Sequence, residues 1–197
     1  INTIFTELFT KSQGFYSMKA NFLQPIIEIV KDNNFGVEII GLPELQLLQR
    51  ISFPSRNILA GGPYLSEDLL QSALFNKVEY LVLYNLNDIM QLEQNLSFKG
   101  NISQKILLRF QTPKYTSRHG IKVSKDSILE IALVLKKCPH VDFQGILSHM
   151  GTELNSIKQY KDNIQNLITI FKLFHDHTDL QVHIVDIGGG FPNADAL

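Results

Sequence analysis

Seven short β-rich, largely apolar runs recur along this chain, each separated from the next by a stretch with helical hydrophobic period. They are FYSMKA from Phe15, VEII from Val37, NILAGG from Asn57, YLVLYN from Tyr80, KILLRF from Lys105, GILSHMG from Gly145 and HIVDIGGG from His183. Such alternation points to a parallel sheet, because parallel neighbours can be joined only through crossovers, which are usually helices. Six successive crossovers favour an α/β fold of the (β/α)8 TIM-type barrel class over an open doubly wound sheet, which shares the alternation. Seven strands leave that barrel incomplete, with an unpaired edge and exposed apolar surface. Either another element covers the edge or an eighth strand is expected beyond Leu197. The chain also opens on Ile1 rather than Met, so its natural start is expected upstream.

Of the 197 residues, 44% are hydrophobic and 19% charged, enough apolar material for one sizeable core, and a single domain over residues 1–197 is the default expectation. Net charge is -1, with Lys and Arg scattered rather than gathered into a stripe. Neither nucleic acid nor an anionic membrane is therefore the expected partner, and a small molecule is. No run of about 18 apolar residues suggests a membrane span. The single cysteine, Cys138, excludes an internal disulfide framework and suits a reducing compartment, so a cytoplasmic location is expected.

Several helix starts are marked chemically. Ser66 stands before Glu67 and Asp68, Asn85 precedes Asp88 by three, and Pro43 falls where a first helical turn tolerates a missing N–H. The clearest amphipathic stretch puts Ile157, Tyr160, Ile164, Leu167, Ile168 or Leu173, Phe171 and Phe174 near one helical face, which is expected to pack on the sheet.

In a parallel barrel, reactive groups collect where strands end and βα loops begin. Those tips carry Lys19, Glu38, Gly61 with Gly62, Asn85, Arg109, His149 and the triplet Gly188, Gly189 and Gly190. Three consecutive glycines let backbone N–H groups approach an anion with no Cβ in the way, and phosphate suits that position; a ligand-free tight turn is the plain alternative. A lysine amine can form a Schiff base with an aldehyde, although a strand-end lysine also extends readily into solvent. The imidazole of His149 could stack on a flat ring, with the Thr152 hydroxyl near a phosphate, or His149 could be a satisfied core histidine. Arg109 interrupts an apolar strand and needs an acceptor, for which Glu38 is one candidate; a structural ion pair and a role at the lysine are both open. An aldehyde cofactor bearing a phosphate, such as pyridoxal 5'-phosphate, would use the lysine and the glycines together.

Other polar residues point away from chemistry. His175 and His177 lie at a helix end with no accompanying ligand set, so no metal site is expected. Cys138 before Pro139 suits packing, and Ser148 lacks the acid and base of a triad.

Taken together, YSMKAN, VEIIGLPEL, ILLRF, SHMGT and VDIGGGFP resemble, in order and spacing, the fold-type III pyridoxal-phosphate decarboxylases, the family of ornithine, diaminopimelate and arginine decarboxylases. The resemblance runs through nearly the whole chain. It implies that Lys19 is the Schiff-base lysine, that His149 stacks on the cofactor ring, that Thr152, Gly189 and Gly190 lie by the phosphate, and that Arg109 supports the lysine side. ANFLQP after the lysine, rather than the NAYGHG type of alanine racemases, favours the decarboxylase branch.

Three positions depart from the family pattern. Glu38 stands where the family usually has Asp, and Leu42 with Pro43 replaces paired glycines. The family's glutamate for the pyridine nitrogen, its Gly-Arg phosphate segment, the partner subunit's cysteine and tyrosine, and the C-terminal β-domain are expected past Leu197. The resemblance thus implies an amino-acid decarboxylase acting on a small substrate as a homodimer. A catalytically silent binding module and a racemase of the same fold are the alternatives.

Overall fold

The computed structural model describes residues 11–100, 102–112, 119–151 and 156–190. The chain forms two compact units, Ile1–Leu81 and Val82–Leu197.

The first unit contains β1 (Phe15–Ser17), α1 (Gln24–Asp32), β2 (Gly36–Ile39), α2 (Leu42–Arg50), a short 3-10 turn (Ser55–Asn57), β3 (Ile58–Ala60), α3 (Glu67–Phe75) and the start of β4 (Tyr80–Leu83). Its strands pair in chain order and in parallel, with Phe15 beside Gly36, Val37 beside Ile58 and Leu59 beside Tyr80. Met18, Ile27, Val37, Ile39, Leu59 and Leu69 fill the core at 3% exposure or less, and β3 is an unbroken buried apolar run, as expected of a parallel strand covered on both faces. The helix-start signals hold here. Ser66 accepts the Leu69 N–H at 3.3 Å, and Pro43 lies in the first turn of α2. Glu44, buried at 5% exposure, reaches back to accept the backbone N–H groups of Ile40 and Gly41 at 2.6 and 3.0 Å, which satisfies donors the helix cannot.

The second unit carries the end of β4, α4 (Leu86–Ser97), β5 (Gln104–Phe110), α5 (Lys125–Leu135), β6 (Val141–Ser148), α6 (Ile157–His177) and β7 (Ile184–Asp186). Asn85 caps α4 by accepting the Asp88 N–H at 2.9 Å, and Ser124 caps α5 by accepting that of Ser127 at 3.1 Å. Parallel β5 and β6 change register between Ile106 and Leu107, where Gln144 is the extra residue of a bulge. The next residue, Gly145, pairs with Ile184, and a Cβ there would sit on the Ile184 carbonyl, so only glycine permits β6 and β7 to approach this closely. Phe174 of α6 is fully buried, stacked on Phe143 with ring centroids 5.2 Å apart and edge-on to Phe110 at 6.0 Å.

Strand order is sequential from β1 to β7. That is the order of a (β/α)8 barrel, of which the described residues supply seven strands, and not of a doubly wound sheet, whose order reverses at a switch point.

Two expectations need correction. Met18, Lys19 and Ala20 form a turn rather than continuing β1, because the Ala20 N–H folds back onto the Ser17 carbonyl at 3.2 Å. On α6, Leu167 and Phe174 are buried as expected, but Ile157, Ile164, Ile168 and Phe171 are exposed, by 68, 46, 42 and 42%. The inward face is instead Asn163, Leu167, Ile170 and Phe174.

Candidate functional site

In the second unit the ends of β6 and β7 meet through backbone and imidazole. His149 directly follows β6, and the glycine triplet follows β7 after Ile187. The Gly189 N–H donates to His149 Nδ1 at 3.1 Å. Accepting there uses the Nδ1 lone pair, so the neutral ring carries its proton on Nε2. Gly188 adopts φ +70°, and a Cβ on it would stand 2.8 Å from the Ser148 carbonyl oxygen and 2.9 Å from the His149 Cα, so the turn demands glycine both conformationally and sterically. Its N–H donates to the Asp186 carboxylate at 2.7 Å, which tightens the exit from β7. Gly190 follows with φ +88°, and its carbonyl accepts from the Tyr160 hydroxyl at 3.2 Å. Desolvation by burial pushes the Tyr160 phenol pKa up, so this hydroxyl keeps its proton and remains a donor.

Beneath the triplet lies a polar network. Asn163 Nδ2 donates to the carbonyls of Ser148 and Ile187 at 3.1 and 2.9 Å. One turn on, Asn166 Nδ2 donates to the Gln111 carbonyl and to Ser148 Oγ, both at 3.3 Å, and Ser148 Oγ also pairs with Thr112 Oγ1 at 3.1 Å. Ser148 is therefore a buried structural hydroxyl rather than a nucleophile.

Arg109 sits near the end of β5 at 8% exposure, with Nη1 donating to the Tyr84 hydroxyl at 2.9 Å and its guanidinium carbon 5.0 Å from the Tyr84 ring centroid. The Tyr84 phenol is thus one acceptor for this cation. Tyr84 with Asn85, Leu86, Asn87, Gly120 and Ile121 lines an open depression of about 270 Å³ at the ends of β4 and β5.

In the first unit, Lys19 is exposed in the turn after β1. Beside it, Ser17 Oγ donates to Glu38 Oε2 at 2.6 Å, and the Met18 N–H donates to the Glu38 carbonyl at 2.9 Å, so half-buried Glu38 anchors the strand end that presents the lysine. Thr152 lies outside the described residues. His175 is exposed and pairs with Asp176 at 2.9 Å, which, with the nearby cations, holds the Asp176 carboxyl below its usual range. Sequence reasoning missed Tyr84, Tyr160, Asn163 and Asn166. Two amides spaced three apart within an otherwise amphipathic helix were the one available signal.

The family model for the pyridoxal-dependent decarboxylases, pyridoxal binding domain, matches residues 3–196. The chain belongs to this family. Pyridoxal-dependent decarboxylase relatives include ornithine decarboxylase of Caenorhabditis elegans, 20% identical, with 93% of this chain and 43% of that protein aligned. Diaminopimelate decarboxylase of Aquifex aeolicus is 21% identical over 89% of this chain and 44% of its own length. Among solved structures, diaminopimelate decarboxylase from M. jannaschii superposes with a TM-score of 0.85 at 14% identity, covering 98% of this chain and 48% of that one. The chain therefore spans less than half the length of each of these three relatives.

Pyridoxal 5'-phosphate is the cofactor of this domain family. The glycine turn leaves room for its phosphate: among the described residues no heavy atom lies within 4 Å of where a Cβ on Gly189 would be. Among the described residues no group of three or more His, Cys, Asp or Glu could hold a metal ion, and no helix is long and apolar enough to cross a membrane.

Proposed function

We propose that residues 1–197 form the cofactor-binding barrel domain of a longer pyridoxal-phosphate-dependent amino-acid decarboxylase. The bond from Gly189 to His149 supports this best, because it makes one site of a flat imidazole and a glycine turn, the two features a phosphorylated aromatic aldehyde needs. In this reading the Lys19 amine is the group that would hold the cofactor aldehyde. His149 lies against the ring, while Gly189, Gly190 and Thr152 bind the phosphate. Arg109, braced by Tyr84, supports the lysine side, and Glu38 fixes the end of β1 that presents Lys19. When bound, the cofactor supplies an electron sink for the bond to the substrate carboxylate. The full-length protein would act on a small amino acid, as a homodimer in the cytoplasm.

The test adds pyridoxal phosphate to the full-length protein and records the absorption band of the lysine linkage. Wild type should show the band and Lys19→Ala should not; a band that persists without Lys19 overturns the assignment. Product analysis separates the chemistries. CO2 release supports decarboxylation, a D-amino acid indicates a racemase, and cofactor binding without either indicates a silent binding module.

A further inference from the structure

Asn163 joins two strand ends that are distant in sequence. Its Nδ2 carries two hydrogens, and the geometry gives one to the carbonyl of Ser148, the residue before His149, and the other to the carbonyl of Ile187, the residue before the glycine triplet. The side chain is 4% exposed, and its Oδ1 is buried with no hydrogen-bond partner among the described residues. A buried, half-satisfied amide carries a desolvation cost, so its retention at this position calls for a return. The amide bonds just those two carbonyls whose separation sets the distance between His149 and Gly189.

We propose that Asn163 is a positioning residue for the phosphate end of the cofactor site, holding the β6 and β7 ends at the spacing at which the Gly189 N–H meets His149 Nδ1. This inference rests on the functional reading above. Asn166 provides the internal comparison: it bonds Ser148 Oγ and the Gln111 carbonyl, tying β6 to β5 without touching the β7 end. Loss of Asn166 should loosen the helix against the sheet but leave the His149 and Gly189 spacing in place. In Asn163→Asp, which is nearly isosteric, the donor becomes an anionic acceptor facing two carbonyls, and the two ends are pushed apart. Asn163→Ala removes the tie without adding charge.

The experiment uses the full-length protein in two measurements. The first reads the nitrogen resonances of His149 by NMR with labelled histidine. Wild type should show an acceptor Nδ1 and a protonated Nε2, and both Asn163 variants should shift toward averaged tautomers, whereas Asn166→Leu should keep the wild-type pattern. The second compares affinity for pyridoxal phosphate with that for pyridoxal, which lacks the phosphate. Both Asn163 variants should weaken the phosphorylated ligand by about tenfold while changing the other by less than about twofold. An unchanged His149 tautomer in a folded Asn163→Ala, or equal losses for the two ligands, overturns the proposal. If wild type binds no pyridoxal phosphate, the functional reading fails, and the tautomer measurement still decides the role of Asn163.

Discussion

The Gly189 N–H donates to His149 Nδ1 at 3.1 Å, although the two residues are 40 positions apart in the chain. The bond exists because β6 and β7 are parallel neighbours, with Leu147 beside Asp186, so the first residues beyond each strand emerge side by side. The predictions for the proposed phosphate end follow from how firmly that juxtaposition is held.

Gly188 holds it sterically. In Gly188→Ala the new methyl group would meet the Ser148 carbonyl and the His149 backbone at a φ of +70°. Stability should fall by about 1–3 kcal/mol, read as a lower urea midpoint with unchanged slope, and pyridoxal phosphate affinity should fall with it.

Gly189 should behave differently. A Cβ there meets nothing within 4 Å among the described residues, so Gly189→Ala should alter stability by less than about 0.5 kcal/mol. The methyl group instead occupies the space proposed for the phosphate. Titration should show a loss of about tenfold for pyridoxal phosphate and little change for pyridoxal.

The Tyr84 hydroxyl accepts from a buried cation. Tyr84→Phe keeps the ring under the Arg109 guanidinium but removes that acceptor, and should cost about 1.5–3 kcal/mol in denaturant unfolding, as expected for a hydrogen bond to a charged group.

Cys138 gives a pH signature. Desolvation by burial, followed by the negative charge of Glu93, pushes its thiol pKa up, so the folded state keeps a proton that the unfolded chain releases. The folded state then binds more protons above the ordinary thiol pKa, and stability falls as pH rises through that alkaline range. Cys138→Ala should flatten this part of the stability profile. At neutral pH the native thiol should alkylate far more slowly than the unfolded one.

Much of the fold was legible in the residues themselves. Strand runs such as YLVLYN and KILLRF are apolar because both faces are covered, and caps such as Ser66 and Asn85 announce themselves through local hydrogen bonds within three residues. The residues bound for strand tips could be named for the same reason, since a lysine, an arginine or a histidine ending an apolar run is a local anomaly. Their partners were harder to read. Arg109 needed an acceptor, but nothing local points to the Tyr84 phenol 25 positions away.

The sequence by itself determined the alternating parallel architecture and the helix starts, because each is written in period or in contacts a few residues long. Tertiary structure alone decided where β1 ends, which stripe of α6 faces inward, and that Asn163 rather than an apolar neighbour is buried. The reason is physical. α6 carries apolar residues on more than one face, so its period cannot choose between them, and the choice falls to two carbonyls, Ser148 and Ile187, that come together only when β6 and β7 pair.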